Sequence, residues 1–189
     1  MEPKTLLITG FEPFGSEDRN PSWEAVDALP ERIGAWTLHK LLLPVEFGRA
    51  AALAVQAAEK CRPDAILCVG LAAGRTAVTP EAIGVNVCDA SIPDNAGVQP
   101  MGEPIAKDGP AAYFSTLPVR KMTEAIASAG IPAKLSYTAG TYVCNDLLYS
   151  LLHRFSGTQT RVAFIHIPLE KDLSLDRSIR ALFAAIEAI

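Results

Sequence analysis

Apolar residues follow two rhythms along this chain. Short continuous runs, bounded by glycine or by charge, alternate with longer stretches where apolar side chains recur every three or four positions. The runs Thr5–Thr9, Asp64–Gly70 and Arg161–Ile167 predict strands buried on both faces, as in a parallel sheet. Trp36–Leu43 reads as a further strand, and Ala82–Asp89 and Ala133–Tyr137 as two more. Helical spacing predicts a helix over Phe47–Lys60, stopped by Arg62-Pro63, and one over Pro118–Ala129, closed by Gly130 after a turn at Tyr113–Leu117. Leu147, Leu148, Leu151, Leu152 and Phe155 mark a helix directly after Cys144, and Ser174–Ile189 forms the last one, with Ser174 as a candidate cap and Arg177 and Arg180 on its wet face. Asn20 as cap and Pro21 in the first turn predict a short helix over Ser22–Leu29. Strand and helix alternate almost throughout. That predicts an α/β fold, a three-layer sandwich around a mostly parallel sheet.

Two loops stand out. GFEPFGSEDRNP, after the first strand, carries two phenylalanines, which either plug the core beneath the loop or contact a ligand at the sheet's carboxyl edge. Ser91–Gly109 is polar and rich in proline and glycine, long enough to be functional or mobile.

Composition narrows the classes. The 189 residues suit one domain, 1–189, with a sizeable core. A net charge of −4 and no Lys/Arg cluster argue against nucleic acid or an anionic membrane surface as partner. MEPKTLLITG has too short an apolar run for a signal peptide, and no apolar stretch approaches the ~20 residues of a membrane span. The four cysteines, Cys61, Cys68, Cys88 and Cys144, form no C-x-x-C pair, which predicts free thiols in a reducing cytoplasm. Cys68 and Cys88 read as core strand residues.

Candidate chemistry gathers at one edge of the sheet. Cys144 follows the small-residue turn Ala139-Gly140-Thr141 at the start of a helix, where unpaired N–H groups and the dipole would lower a thiol's pKa. His166 ends the Arg161–Ile167 strand, and Glu81 follows the Asp64–Gly70 strand. In a parallel sheet those ends share one rim. A histidine there can take the thiol proton, and a carboxylate can fix its tautomer. Each also has a purely structural reading: Cys144 as apolar filler, His166 as a satisfied strand-end histidine, Glu81 as a solvated loop acid. His39, within a strand, and His153, late in a helix, are weaker candidates.

The segments GFEPFG with Asn20-Pro21, GRTAVTPE, IPDN, GPAAYFSTLP, TAGTYVCN and FIHIPL, collinear from Gly10 to Leu169, resemble the pyroglutamyl peptidase I (pyrrolidone-carboxylate peptidase) family. The resemblance implies a cysteine omega peptidase that removes N-terminal pyroglutamate from peptides, on an α/β/α sandwich with a twisted mixed sheet. It implies no cofactor and no metal, and a homodimer or homotetramer. The triad it implies is Cys144, His166 and Glu81, and the substrate-binding residues are Phe11, Phe14, Asn20, Tyr142 and Val143. Four positions depart from the family pattern. Tyr142 stands where Phe is usual, adding a hydroxyl near the substrate ring, and Leu71 where many members carry Gln. Ser91 stands for a common Arg near the active site, and Tyr137 for the usual Asn; the segment after Leu169 is also trimmed. Two other readings fit the same residues: a lactam-binding protein weakened in catalysis, and a cysteine amidase with a different acyl preference.

Overall fold

The computed structural model describes residues 4–15 and 17–189. The reading of the first three residues, and loop residue Ser16, lie outside the described residues. In chain order the elements are β1 (Lys4–Phe11), α1 (Pro21–Asp27), β2 (Arg32–Ile33), β3 (Trp36–Leu43), α2 (Arg49–Cys61), β4 (Ala65–Leu71), β5 (Thr79–Glu81), β6 (Ile83–Val85), β7 (Cys88–Asp89), β8 (Met101–Glu103), β9 (Ala112–Phe114), α3 (Val119–Ser128), α4 (Val143–Arg154), β10 (Arg161–Ile167) and α5 (Leu175–Glu187).

Six strands form the central sheet in the order β2-β3-β1-β4-β10-β5. The inner four are parallel, and β2 and β5 close the edges antiparallel. The α/β sandwich and the mostly parallel, mixed sheet are therefore as expected. Side-chain alternation along each buried strand feeds two cores. Leu6, Ile8, Leu67, Val69, Ile165 and Ile167 pack under α1, α3 and α5. Leu7, Phe11, Ile66, Cys68, Val162 and Phe164 pack under α2 and α4.

Long-range pairing changes the middle of the chain. Ala82–Asp89 is not one strand but is cut into β6 and β7, which pair with β9 and β8 in two small antiparallel ribbons. The pairing with β8 gives Ser91–Gly109 a strand of its own. Inside it, the Asp94 carboxylate accepts the N–H groups of Phe47, Ala96 and Val98 at 2.8–2.9 Å. Ala133–Tyr137 is an extended segment touching the sheet only through two bridges, Val78↔Ala133 and Glu81↔Ser136. Among the described residues no helix is long and apolar enough to cross a membrane.

Candidate active site

The carboxyl ends of β1, β4 and β10 converge on the face covered by α2 and α4. Register puts His166 opposite Gly70 on one side and opposite Thr79 on the other. Phe164 and His166 share a face of β10, and Glu81 lies across from Phe164 in the antiparallel pair. Glu81 is thus an edge-strand residue and fully buried, not a solvated loop acid. Its Oε1 lies 2.7 Å from His166 Nδ1, with His166 only 4% exposed. Nδ1 is the protonated nitrogen when it donates to that carboxylate, which leaves Nε2 as the basic one. Burial lowers the His166 pKa most, and the Arg75 charge adds to this, against the raising influence of the Glu81 hydrogen bond and charge. Burial opposes ionisation of Glu81, yet the hydrogen bond and charge of His166, with the hydrogen bond from Arg75, bring its carboxyl below the ordinary value.

Cys144 is the second residue of α4 and is half-buried. Its sulfur reaches the sheet because Gly70 has no side chain. A Cβ there would stand 2.6 Å from Phe164 Cζ and 3.0 Å from Cys144 Sγ. Gly70 therefore adjoins the sulfur on its own strand face and pairs with His166 across the sheet. The helix start predicts a lowered thiol pKa, but the structure pushes it up to about 12. Burial is the main cause, followed by the charges of Glu81 and Cys68, while Arg75 and the cysteine's own N–H pull the other way without prevailing. The helix terminus was visible in the sequence; the depth of the sulfur was not.

Two residues that sequence reasoning passed over hold α4 in place. Asn145 is fully buried; its Oδ1 accepts the Val85 N–H at 2.9 Å, and its Nδ2 donates to the carbonyls of Val85 and Val87 at 2.9 and 3.0 Å. Asp146 Oδ2 accepts the Gly48 N–H at 2.7 Å, joining the starts of α2 and α4. The available signal was two polar residues ahead of a leucine-rich helix, which is too common to single out.

A cavity of about 220 Å³ opens beside Cys144, lined by Phe11, Phe14, Asn20, Val45, Leu71, Ala73, Tyr142 and Val143. All five residues expected to bind substrate line it. Phe14 and Phe47 meet the Tyr142 ring edge-on, with centroids 5.5 and 5.1 Å away. The Tyr142 hydroxyl donates to the Pro93 carbonyl at 3.0 Å, so it straps the helix start to the Ser91–Gly109 segment. Asn20 Oδ1 accepts from the Ser22 N–H and hydroxyl, and its Nδ2 donates to the Glu12 carbonyl at 2.8 Å, capping α1 and holding the aromatic loop. Asn95 Nδ2 donates to the Pro13 carbonyl of that loop at 3.0 Å. Tyr137 is 61% exposed and accepts from Arg120. His39 lies exposed on β3, and His153 meets the Tyr113 hydroxyl at 3.0 Å away from the cavity. Among the described residues no group of three or more His, Cys, Asp or Glu is placed to hold a metal ion.

Comparison with known proteins gives this arrangement a context. The family model described as pyroglutamyl peptidase matches residues 4–189. The pyrrolidone-carboxylate peptidase of Levilactobacillus brevis is 48% identical, covering 97% of this chain and 96% of that protein. The one from Escherichia fergusonii is 50% identical over 87% of this chain and 78% of its own length. Pyroglutamyl peptidase I of Bacillus amyloliquefaciens superposes with a TM-score of 0.92 at 45% identity, covering 96% of this chain and 94% of that one. The pyrrolidone carboxyl peptidase of Thermococcus litoralis gives 0.93 at 36% identity, over 98% and 92%. With the family model spanning the described chain and relatives near half identity along its length, the chain belongs to the pyroglutamyl peptidase family.

Proposed function

We propose that this chain is a cysteine exopeptidase that hydrolyses the N-terminal pyroglutamyl residue from peptides, with Cys144 as nucleophile, His166 as base and acid, and Glu81 as the group that orients His166. The observation that carries this reading is the buried His166–Glu81 contact of 2.7 Å between β10 and β5, with Gly70, the residue opposite His166 on β4, abutting the Cys144 sulfur. A raised thiol and a lowered imidazole make the resting pair neutral. The proton then moves from Sγ to His166 Nε2 as sulfur attacks the pyroglutamyl carbonyl carbon. The oxyanion forms near the first N–H groups of α4, where Tyr142 is the cap and the amides of Asn145 and Asp146 already serve the Tyr142 carbonyl. The amides of Val143 and Cys144 are the donors left for it. His166 then gives its proton to the leaving amine. Water, activated by the same imidazole, releases pyroglutamate from the thioester and restores the thiol.

The pyroglutamyl ring is a small neutral lactam, and the cavity offers Phe11, Phe14 and Tyr142 as apolar walls. The experiment is release of fluorophore from a pyroglutamyl-coumarin amide, with and without iodoacetamide. Turnover abolished by the alkylator is expected; turnover indifferent to it contradicts the cysteine mechanism. A second reading, a cysteine amidase with a different acyl preference, is favoured by one observation. Leu71 supplies no polar atom, and the amide of Asn20 is already engaged in capping. Rates on prolyl and alanyl amides equal to those on the pyroglutamyl amide would select it.

The chain works in the cytoplasm as a homodimer or homotetramer. Ile92, Val98 and Met101, exposed on the segment around β8, form the apolar surface a second copy would cover. Sedimentation equilibrium should return a multiple of the 20.1 kDa chain mass. A monomer at micromolar concentration would remove this part of the proposal.

A further inference from the structure

Arg75 lies in the turn between β4 and β5 and does not line the cavity. Its guanidinium reaches three groups. Nη1 donates to Glu81 Oε1 at 2.6 Å and to the Thr79 hydroxyl, and Nη2 donates to the Thr138 carbonyl at 2.9 Å. Thr138 belongs to the turn that runs through Gly140 into α4 and Cys144. Glu81 Oε1 also faces His166 Nδ1, so two donors converge on one oxygen. The other oxygen, Oε2, is buried and has no hydrogen-bond partner among the described residues.

We propose that Arg75 is a positioning residue for the reaction: one arm of its guanidinium fixes the carboxylate that orients His166, and the other ties down the turn that delivers Cys144. One planar side chain thereby sets base and nucleophile relative to each other, although Thr138 is 63 positions away along the chain. Lysine supplies the charge but not two directed bonds in a fixed fork. The proposal rests on the triad reading above.

The groups around His166 can be named. Glu81 meets its Nδ1 and Phe164 its ring, Gly70 and Thr79 stand opposite it on the two neighbouring strands, and the Arg75 charge reaches it from the turn. Of these only Glu81 and Arg75 carry full charge near neutrality. Removing Arg75 removes the only cation of the set, so His166 should protonate at higher pH.

The test compares wild type, Arg75→Lys and Arg75→Gln by steady-state kinetics against pH and by NMR titration of the His166 imidazole, assigned by its loss in His166→Asn. Arg75→Gln is expected to lose about 10²-fold in kcat, the scale of a misplaced catalytic group, with KM close to wild type. Its His166 midpoint should move up. Arg75→Lys should keep the wild-type midpoint yet retain most of the kcat loss. If Arg75→Gln does not fold, as thermal melting will show, Arg75→Lys decides: a wild-type kcat overturns the proposal. So does Arg75→Gln with wild-type kcat, or a loss carried by KM alone. If the wild type hydrolyses no pyroglutamyl amide, the proposed activity fails, while the His166 midpoint in the variants still reports whether Arg75 holds the pair.

Discussion

Cys144→Ser should leave a folded protein whose release of fluorophore from a pyroglutamyl amide falls by at least about 10³-fold, the scale seen when one member of a catalytic unit is removed. The substitution changes little in shape, since the hydroxyl occupies the slot beside Gly70 and Phe164 that the sulfur now fills. Its chemistry is another matter. A serine hydroxyl is harder to deprotonate than a thiol, and His166 is already a weakened base because burial holds its pKa below the ordinary 6.5. The melting temperature should stay close to wild type, which separates loss of the nucleophile from loss of the fold. A serine variant with wild-type turnover would move the chemistry to another residue.

Glu81→Gln should cost about 10³–10⁴-fold in kcat, by analogy with neutralising the acid of a serine-type triad. Glutamine keeps the size but can present an N–H to His166 Nδ1. That places the imidazole proton on Nε2, the nitrogen that accepts the thiol proton in the proposed mechanism. The pH profile supplies a second readout. Glu81 is the only influence raising the His166 pKa, so its neutralisation should carry the acid limb of kcat/KM to lower pH even as the plateau falls. Arg75→Gln should carry the same limb upward. Opposite displacements on replacing the carboxylate and on replacing the guanidinium bound to it would be hard to produce by general loosening of the site. Stability follows the same charges. His166 and Glu81 both have folded pKa values below their ordinary values of 6.5 and 4.5, so the folded state binds fewer protons than the unfolded one. Their contribution is complete above about pH 6.5 and is lost as pH falls, first through the histidine range and then through the carboxylate range. Urea denaturation of Glu81→Gln should lack the second of these losses, and an acid-side profile identical to wild type would contradict it.

What could be read from the chain depended on how local the cause was. Trp36–Leu43 and Arg161–Ile167 were legible to the residue, the second as a near-continuous apolar run buried along its length and the first as a β-prone stretch that is only partly buried. Asn20 was legible as a cap because its partner, the Ser22 N–H, is two residues away. Glu81 was placed on the right rim but in the wrong surroundings. Its burial comes from antiparallel pairing with β10, a partner more than eighty positions distant. Non-local pairing also hid the breaks between β5, β6 and β7, which obey β10, β9 and β8 rather than their own sequence. Ala133–Tyr137 has strand composition, yet makes only two bridges to the segment carrying β5. The Tyr142 departure suggested a hydroxyl near the substrate ring. That hydroxyl donates to the Pro93 carbonyl, on a loop no local pattern connects to it.

Cys144, His166 and Glu81 acting as one unit leads to a covalent intermediate, and rapid acid quenching of the enzyme during turnover of a pyroglutamyl ester, followed by peptide mass spectrometry, reads that intermediate directly. The expected result is a mass increase of one pyroglutamyl group on the peptide bearing Cys144, absent from Cys144→Ser and slow to clear in Glu81→Gln. Full-rate hydrolysis with the adduct on another side chain would contradict the account.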